Sequence, residues 1–169
     1  PVFQPPKINT AEALEELDQL QADVYLVAAY GQILSQKLLD MPRCGAFNLH
    51  ASLLPKYRGA APILYAIQNG ETQSGVSVFR IERALDSGPI AGMVETEIGP
   101  KETTGQLQDR LADLAAPLAM QLLSDIEAGT LVETPQTHEE ATFAPTLDKQ
   151  VGAIDWSQTA EQISWHVRA

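Results

Sequence analysis

The stretch "CGAFNLHASLLPKYRGAAP", Cys44 to Pro62, decides how the rest of the chain reads. Its first seven residues are apolar enough for a strand, yet Asn48 and His50 fall near the end of it. Two positions apart on an extended strand, they share one face. A plain core strand has no need of those polar groups, and a plain surface loop has no need of Leu53 and Leu54. Beyond the loop, "GAAPILYAIQNG" reads as a helix with Gly70 as its stop. The unit is a strand, a polar loop and a helix, with chemistry-bearing side chains at the strand's exit.

Working outward, the same alternation recurs. "DVYLVAAY", Asp23 to Tyr30, is nearly continuous apolar, as expected of a strand buried on both faces. Asn9 and Glu12 resemble a capping box for a helix with Leu14, Leu17 and Leu20 on one side. "PVFQP" at the start is fenced by prolines and is at most an edge strand. "SQKLLDM" reads as a short helix stopped before Pro42. "GVSVFRI" alternates as a half-buried strand with Val76, Val78 and Arg80 on one side, and "IAGMVETEI" is a further strand. Thr103 or Thr104 caps a long helix carrying Leu107, Leu111, Leu114, Leu118 and Leu122, which Pro117 is expected to kink or split. After Gly129 the chain turns loop-like, and "AIDWSQTAEQISWHVRA" opens a last amphipathic helix. Alternating strands and helices predict an α/β domain with a mostly parallel sheet, in which ligands sit beyond the carboxyl ends of the strands.

The bulk composition narrows the function classes. The chain has 169 residues, 44% of them hydrophobic and 20% charged, as in a globular domain. No apolar run approaches the roughly 20 residues of a spanning helix, so no membrane association is expected. The single Cys44 excludes an internal disulfide and argues against a thiolate metal site, which fits a reducing cytoplasm. The net charge of −11 argues against a nucleic-acid surface on this piece alone. The window from Gln36 to Gln68 is different: Lys37, Arg43, Lys56 and Arg58 against Asp40 leave it at +3, and the remainder at −14. Glycine-containing runs such as "GPIAG" lack phosphate-loop spacing. His138, beside Glu139 and Glu140, has no second histidine near in sequence and reads as a solvated acidic loop, so no metal is expected.

A carboxylate completes the candidate set. Asp86 follows His50 by 36 residues, after one helix and one strand, about the length of one crossover unit. An amide can donate to a developing oxyanion, an imidazole can donate or shuttle a proton, and a carboxylate favours and orients the charged ring. No serine or cysteine is activated beside them, because Ser52 reads as a loop or ligand-contact residue. The set suits direct acyl transfer with no covalent enzyme adduct.

"NLHASLLPKYRGAAPI", followed at this spacing by "LDSG", resembles the signature of the folate-dependent formyltransferases. "VAAYGQIL", "TGQLQDRLADLA" and "AIDW" extend the resemblance over essentially the whole chain. It implies a Rossmann-like catalytic domain over residues 1–148, incomplete at its amino end and cut from a longer polypeptide, with residues 149–169 as an exit segment toward a further domain. It implies 10-formyltetrahydrofolate as formyl donor. The catalytic roles fall on Asn48, His50 and Asp86, and folate contacts on Ser52, Leu53, Leu54 and Pro55. A pterin pocket would be lined by Gln32, Ile33 and Leu34 together with Glu82 and Leu85. Lys56 and Arg58 are candidate contacts for the folate tail or a tRNA phosphate. "RGAAPI" and "IDWS" resemble most the branch whose acceptor is methionyl-tRNA in the complete protein. A sugar nucleotide, glycinamide ribonucleotide or water as acceptor, or folate binding without transfer, are the alternatives.

Overall fold

The structure, a computed structural model, describes residues 2–169. The chain opens as coil, without the edge strand considered for "PVFQP", whose first residue lies outside the described ones. Helix α1 (Ala11–Gln19) is capped by Thr10, whose hydroxyl accepts from the Ala13 amide. Asn9 is therefore not the cap. Its side chain donates to the Ile33 carbonyl (2.7 Å) and accepts from the Ser35 amide (2.9 Å). A tertiary pair of bonds has taken the residue that local pattern assigned to the helix. Leu14 packs with Ile8 and Leu38, while Leu20 lies past the helix end and is exposed.

Strand β1 (Tyr25–Ala28) leads through the short helix α2 (Gln36–Leu39), capped by Ser35, to β2 (Ala46–His50). A two-residue strand β3 (Arg58–Gly59) precedes helix α3 (Pro62–Gln68). The long strands β4 (Gln73–Arg80) and β5 (Ile90–Glu97) follow, then helix α4 (Thr104–Ala128). A second short strand, β6 (Phe143–Ala144), and helix α5 (Ala160–Arg168) complete the order.

The class is α/β. The main sheet has the order β1-β2-β4-β5. The expected parallel pairing is present between β1 and β2, whereas β2–β4 and β4–β5 are antiparallel, so the described strands form a mixed sheet. Apolar alternation reports which face a residue occupies and carries no information on strand direction. β1 is an edge strand among the described residues, and Leu26 is 39% exposed rather than buried on both faces. β3 and β6 form a separate parallel pair.

The core lies on the sheet face that carries Phe47, Val76 and Val78, against Leu107, Leu111 and Leu122 of α4. Arg80 shares that face as expected. Its guanidinium stacks 4.6 Å over the Phe47 ring and is forked onto Glu133 at 2.7 and 2.9 Å. Thr103 caps α4 in a capping box with Gln106, and Gly129 ends it at φ 67°. The helix runs unsplit through Pro117, which is exposed, so the carbonyl it deprives of a partner faces water. α5 lies on α3: a Cβ at Gly70 would sit 2.5 Å from the Trp165 ring, and Gln68 bonds His166 at 2.9 Å. With the core face covered by α4, the Asn48 and His50 side of β2 is left to the loops.

Candidate active site

Alternation along β2 sends Phe47 and Leu49 into the core and turns Asn48 and His50 to the other face. Cross-strand register places Asn48 opposite Phe79 and His50 opposite Ser77. The His50 ring is only 6% exposed and meets Phe79 edge to face, with centroids 6.3 Å apart. Its Nε2 lies 2.8 Å from the Tyr57 carbonyl oxygen. A carbonyl can only accept, so Nε2 carries a proton, and Nδ1 is the nitrogen free to gain or lose one. Nδ1 lies 3.7 Å from Asp86 Oδ2. That distance is too long for a direct hydrogen bond, yet short enough for the carboxylate to act on the ring by its charge.

Asp86 reaches this place by a route that strand counting did not anticipate. β4 runs antiparallel to β2, so its last residue, Arg80, lies opposite Phe47, away from His50. The connection through residues 81–89 must fold back to bring residue 86 beside the imidazole. The turn requires Asp86 itself at φ 46°, a left-handed conformation that costs on the order of 1–3 kcal/mol and that Asp tolerates better than most residues. Its Oδ2 accepts the Gly59 amide at 2.8 Å. Gly59 has φ 120°, and a Cβ there would meet the Ala144 carbonyl oxygen at 2.5 Å. Only glycine lets the backbone come close enough to donate to the carboxylate.

The loop's own carbonyls are held by a residue outside every motif in the sequence. Gln136 Nε2 donates to the carbonyls of Asp86 (2.9 Å) and Gly88 (2.7 Å). Its Oε1 accepts from Arg58 Nε (3.2 Å) and Nη2 (2.6 Å). Arg58 Nη2 also lies 3.1 Å from His138 Nδ1, which must accept. Arg58 is thus interior, at 6% exposure, and commits Nε and Nη2 to protein. Lys56 remains outside, paired with Glu71 at 3.3 Å. Nothing in "LVETPQTHEE" marks Gln136 as special. A lone glutamine in a loop has no periodicity to reveal its partners.

The rest of the signature loop is built inward. Ser52 Oγ donates to the Lys56 carbonyl (2.7 Å), and the buried Ser77 hydroxyl accepts from Leu54 N and donates to the Ser52 carbonyl. The Leu54–Pro55 bond is cis, and Leu54 is buried. Ser52, Leu53 and Pro55 line a hollow of about 380 Å³ with Tyr57, Glu71 and Ser74. Burial pushes the Tyr57 phenol up to about 12, and that hydroxyl donates to Glu71 at 2.8 Å. Among the other candidate contacts, Gln32 Oε1 accepts from the Ile8 amide and Leu34 packs on the Ile8–Leu14–Leu38 cluster. Ile33 is 90% and Leu85 60% exposed, and Glu82 also lies in solvent. No protein group among the described residues hydrogen-bonds the Asn48 amide. The structure therefore brings together one half-buried amide, one imidazole with an open Nδ1 and one carboxylate, a set able to donate to an oxyanion and to relay a proton.

Comparison with known proteins addresses the family and the fold. The family profile described as formyl transferase matches residues 2–123. A methionyl-tRNA formyltransferase of Pseudomonas fluorescens is 48% identical over 169 residues, all of this chain and 53% of the relative. This chain thus spans about half the length of the curated relatives it matches. Among solved structures, WlaRD, a sugar 3N-formyl transferase studied in the presence of dTDP and 5-N-formyl-THF, superposes with a TM-score of 0.78. It has 22% identity and covers 90% of this chain and 56% of its own. A sugar N-formyltransferase from Shewanella gives a TM-score of 0.80 at 18% identity, over 95% of this chain and 65% of its own. At such identities these two speak for the fold. The match over residues 2–123, most of the chain, makes it a member of the formyl transferase family.

Proposed function

We propose that this chain is the formyl-transferring part of an enzyme that moves a formyl group from 10-formyltetrahydrofolate to the amino group of methionyl-tRNA. The observation that carries the reading is the open Nδ1 of His50, 3.7 Å from Asp86 Oδ2, on the strand face shared with Asn48, whose side-chain amide has no hydrogen-bond partner among the described residues. The methionyl-tRNA acceptor is favoured by the 48% identical relative that bears that name. Two loops support a folate site. Ile33 and Leu85 each present an exposed apolar side chain of the kind that covers a flat heteroaromatic ring.

In this reading the acceptor amine attacks the formyl carbon directly. A carbon–nitrogen bond forms as the carbonyl oxygen takes up negative charge. The Asn48 NH2 and the protonated Nδ1 of His50 donate to that oxygen, where preorganised donors stabilise the tetrahedral intermediate. Asp86 holds the positive ring in place by its charge and accepts, through water, the proton shed by the amine. That proton is returned to N10 of the folate as the old carbon–nitrogen bond breaks. The Gly59 amide fixes one oxygen of Asp86 throughout.

Residues 1–148 would supply this chemistry and residues 149–169 would lead toward a further domain, with the cytoplasm, where aminoacyl-tRNA is used, as the place of action. The test is acceptor competition with the complete polypeptide. Donor-dependent formylation of methionyl-tRNA, well above that of glycinamide ribonucleotide or an amino-sugar nucleotide, is expected. Transfer to either alternative in preference, or formate release alone, overturns the proposal.

A further inference from the structure

We propose that Gln136 is a positioning residue for the transfer reaction: its side-chain amide clamps the loop that carries Asp86, and Arg58 anchors the clamp. The inference rests on the formyl-transfer reading above for its kinetic part only.

The argument begins with what residue 86 lacks. Its backbone is left-handed, at φ 46°, in a connection that must fold back on the sheet. Asp tolerates that conformation and the Ser87 hydroxyl donates to the Ala84 carbonyl within the loop, but neither ties the loop to the sheet, so an outside contact has to fix its place. The contact is one amide group. Gln136 Nε2 has two protons and gives both to this loop, one to the Asp86 carbonyl and one to the Gly88 carbonyl. Its Oε1 has two lone pairs, and Arg58 occupies both from Nε and Nη2. Every hydrogen-bonding capacity of the amide is therefore used, and Gln136 and Arg58 are each only 6% exposed. A buried amide with all four of its hydrogen bonds made is held in one arrangement.

The anchor is also the neighbour of the target. Arg58 and Gly59 are consecutive in β3, and the Gly59 amide binds the Asp86 carboxylate. The carboxylate is thus gripped from one side by Gly59 and its own backbone from the other by Gln136, with Arg58 joining the two grips. Gln136 lies beyond residue 123, where the family match ends. The segment past that point also feeds the grip through Thr142, whose hydroxyl accepts from the Tyr57 amide and whose carbonyl accepts from Arg58 N. The Tyr57 carbonyl in turn holds His50.

Gln136→Glu separates the two halves of the clamp. A carboxylate keeps one acceptor oxygen for both Arg58 donors, while its second oxygen stands where Nε2 was, can donate to neither carbonyl and repels both, so the fold stays anchored while residue 86 is released. Gln136→Ala removes both halves. In the complete protein, both variants are expected to lower kcat about tenfold or more with KM for each substrate within about threefold, as for a misplaced group that acts in the transition state. Hydrogen exchange supplies the readout that activity cannot. The Gly59 amide should lose protection in both variants, while the Ile81 amide, bonded to the Ala46 carbonyl, keeps it. A Gln136→Glu enzyme with kcat reduced less than about fivefold overturns the proposal. So does loss of protection at Gly59 and Ile81 alike, which would mark general loosening. If the unaltered protein transfers no formyl group, the functional reading fails, and Gly59 exchange in Gln136→Glu alone decides the clamp.

Discussion

Replacing Gly59 by alanine tests the close approach on which the carboxylate's position depends. The perturbation has two parts. At φ 120° the backbone occupies a region that residues with a Cβ avoid, which costs about 1–3 kcal/mol. The added methyl would also lie 2.5 Å from the Ala144 carbonyl oxygen and 3.2 Å from its carbon. These are backbone atoms that cannot rotate away, so β3 and β6 must separate, at about 1–3 kcal/mol as for other overpacked sites. The sum, about 2–6 kcal/mol, is a large share of the 5–15 kcal/mol that typically holds a domain together. The assay is urea unfolding followed by tryptophan fluorescence, with Gly105→Ala as reference. Gly105 lies in α4, has no atom within 4 Å of its would-be Cβ, and has no left-handed backbone. That reference is expected to be neutral or to gain up to about 1 kcal/mol. The Gly59→Ala protein should lose at least about 2 kcal/mol. A loss no greater than that of an ordinary surface change, within about 0.5 kcal/mol of the reference, refutes the reasoning, because the backbone could then accommodate a side chain where contact is inferred.

Three further outcomes are expected. Asp86→Asn retains an oxygen for the Gly59 amide but removes the charge beside His50, so kcat for formyl transfer should fall about 100-fold or more with stability little changed; near-normal turnover would show that the charge has no part in the reaction. Leu107→Ala opens a cavity where α4 meets the core and should cost about 2–5 kcal/mol in the same unfolding assay. Arg110 forks onto Glu102 and reaches Thr96, and its bonds hold the Glu102 carboxyl below its usual range. A depressed folded-state value contributes stability above the unfolded one, lost as pH falls through the folded one. Arg110→Met should therefore be less stable than the parent at pH 7, and the difference should shrink steadily as the solution is acidified below the usual glutamate range; a gap that persists in acid would place the stabilisation elsewhere.

The sequence by itself determined what is local and periodic. The leucine steps of α4 and its Thr103 cap could be read directly, because they follow from helix geometry over neighbouring residues. So could the shared face of Asn48 and His50, which needs only the two-residue repeat of a strand. The α/β class followed from the same alternation. Only the tertiary structure decided the mixed direction of the sheet, since a strand's pattern of burial is the same whichever way its neighbour runs. It also decided that Asn9 serves the turn at residues 33–35 and leaves the helix cap to Thr10, because a segment distant in sequence supplies Asn9 with two partners. Residue 86 could be named from sequence, but its return to His50 depends on Gly59, Arg58 and Gln136, which lie 27, 28 and 50 positions away from it. Each of those contacts exists because several chain segments converge on one small buried volume, and convergence leaves no period in the sequence from which it could have been read.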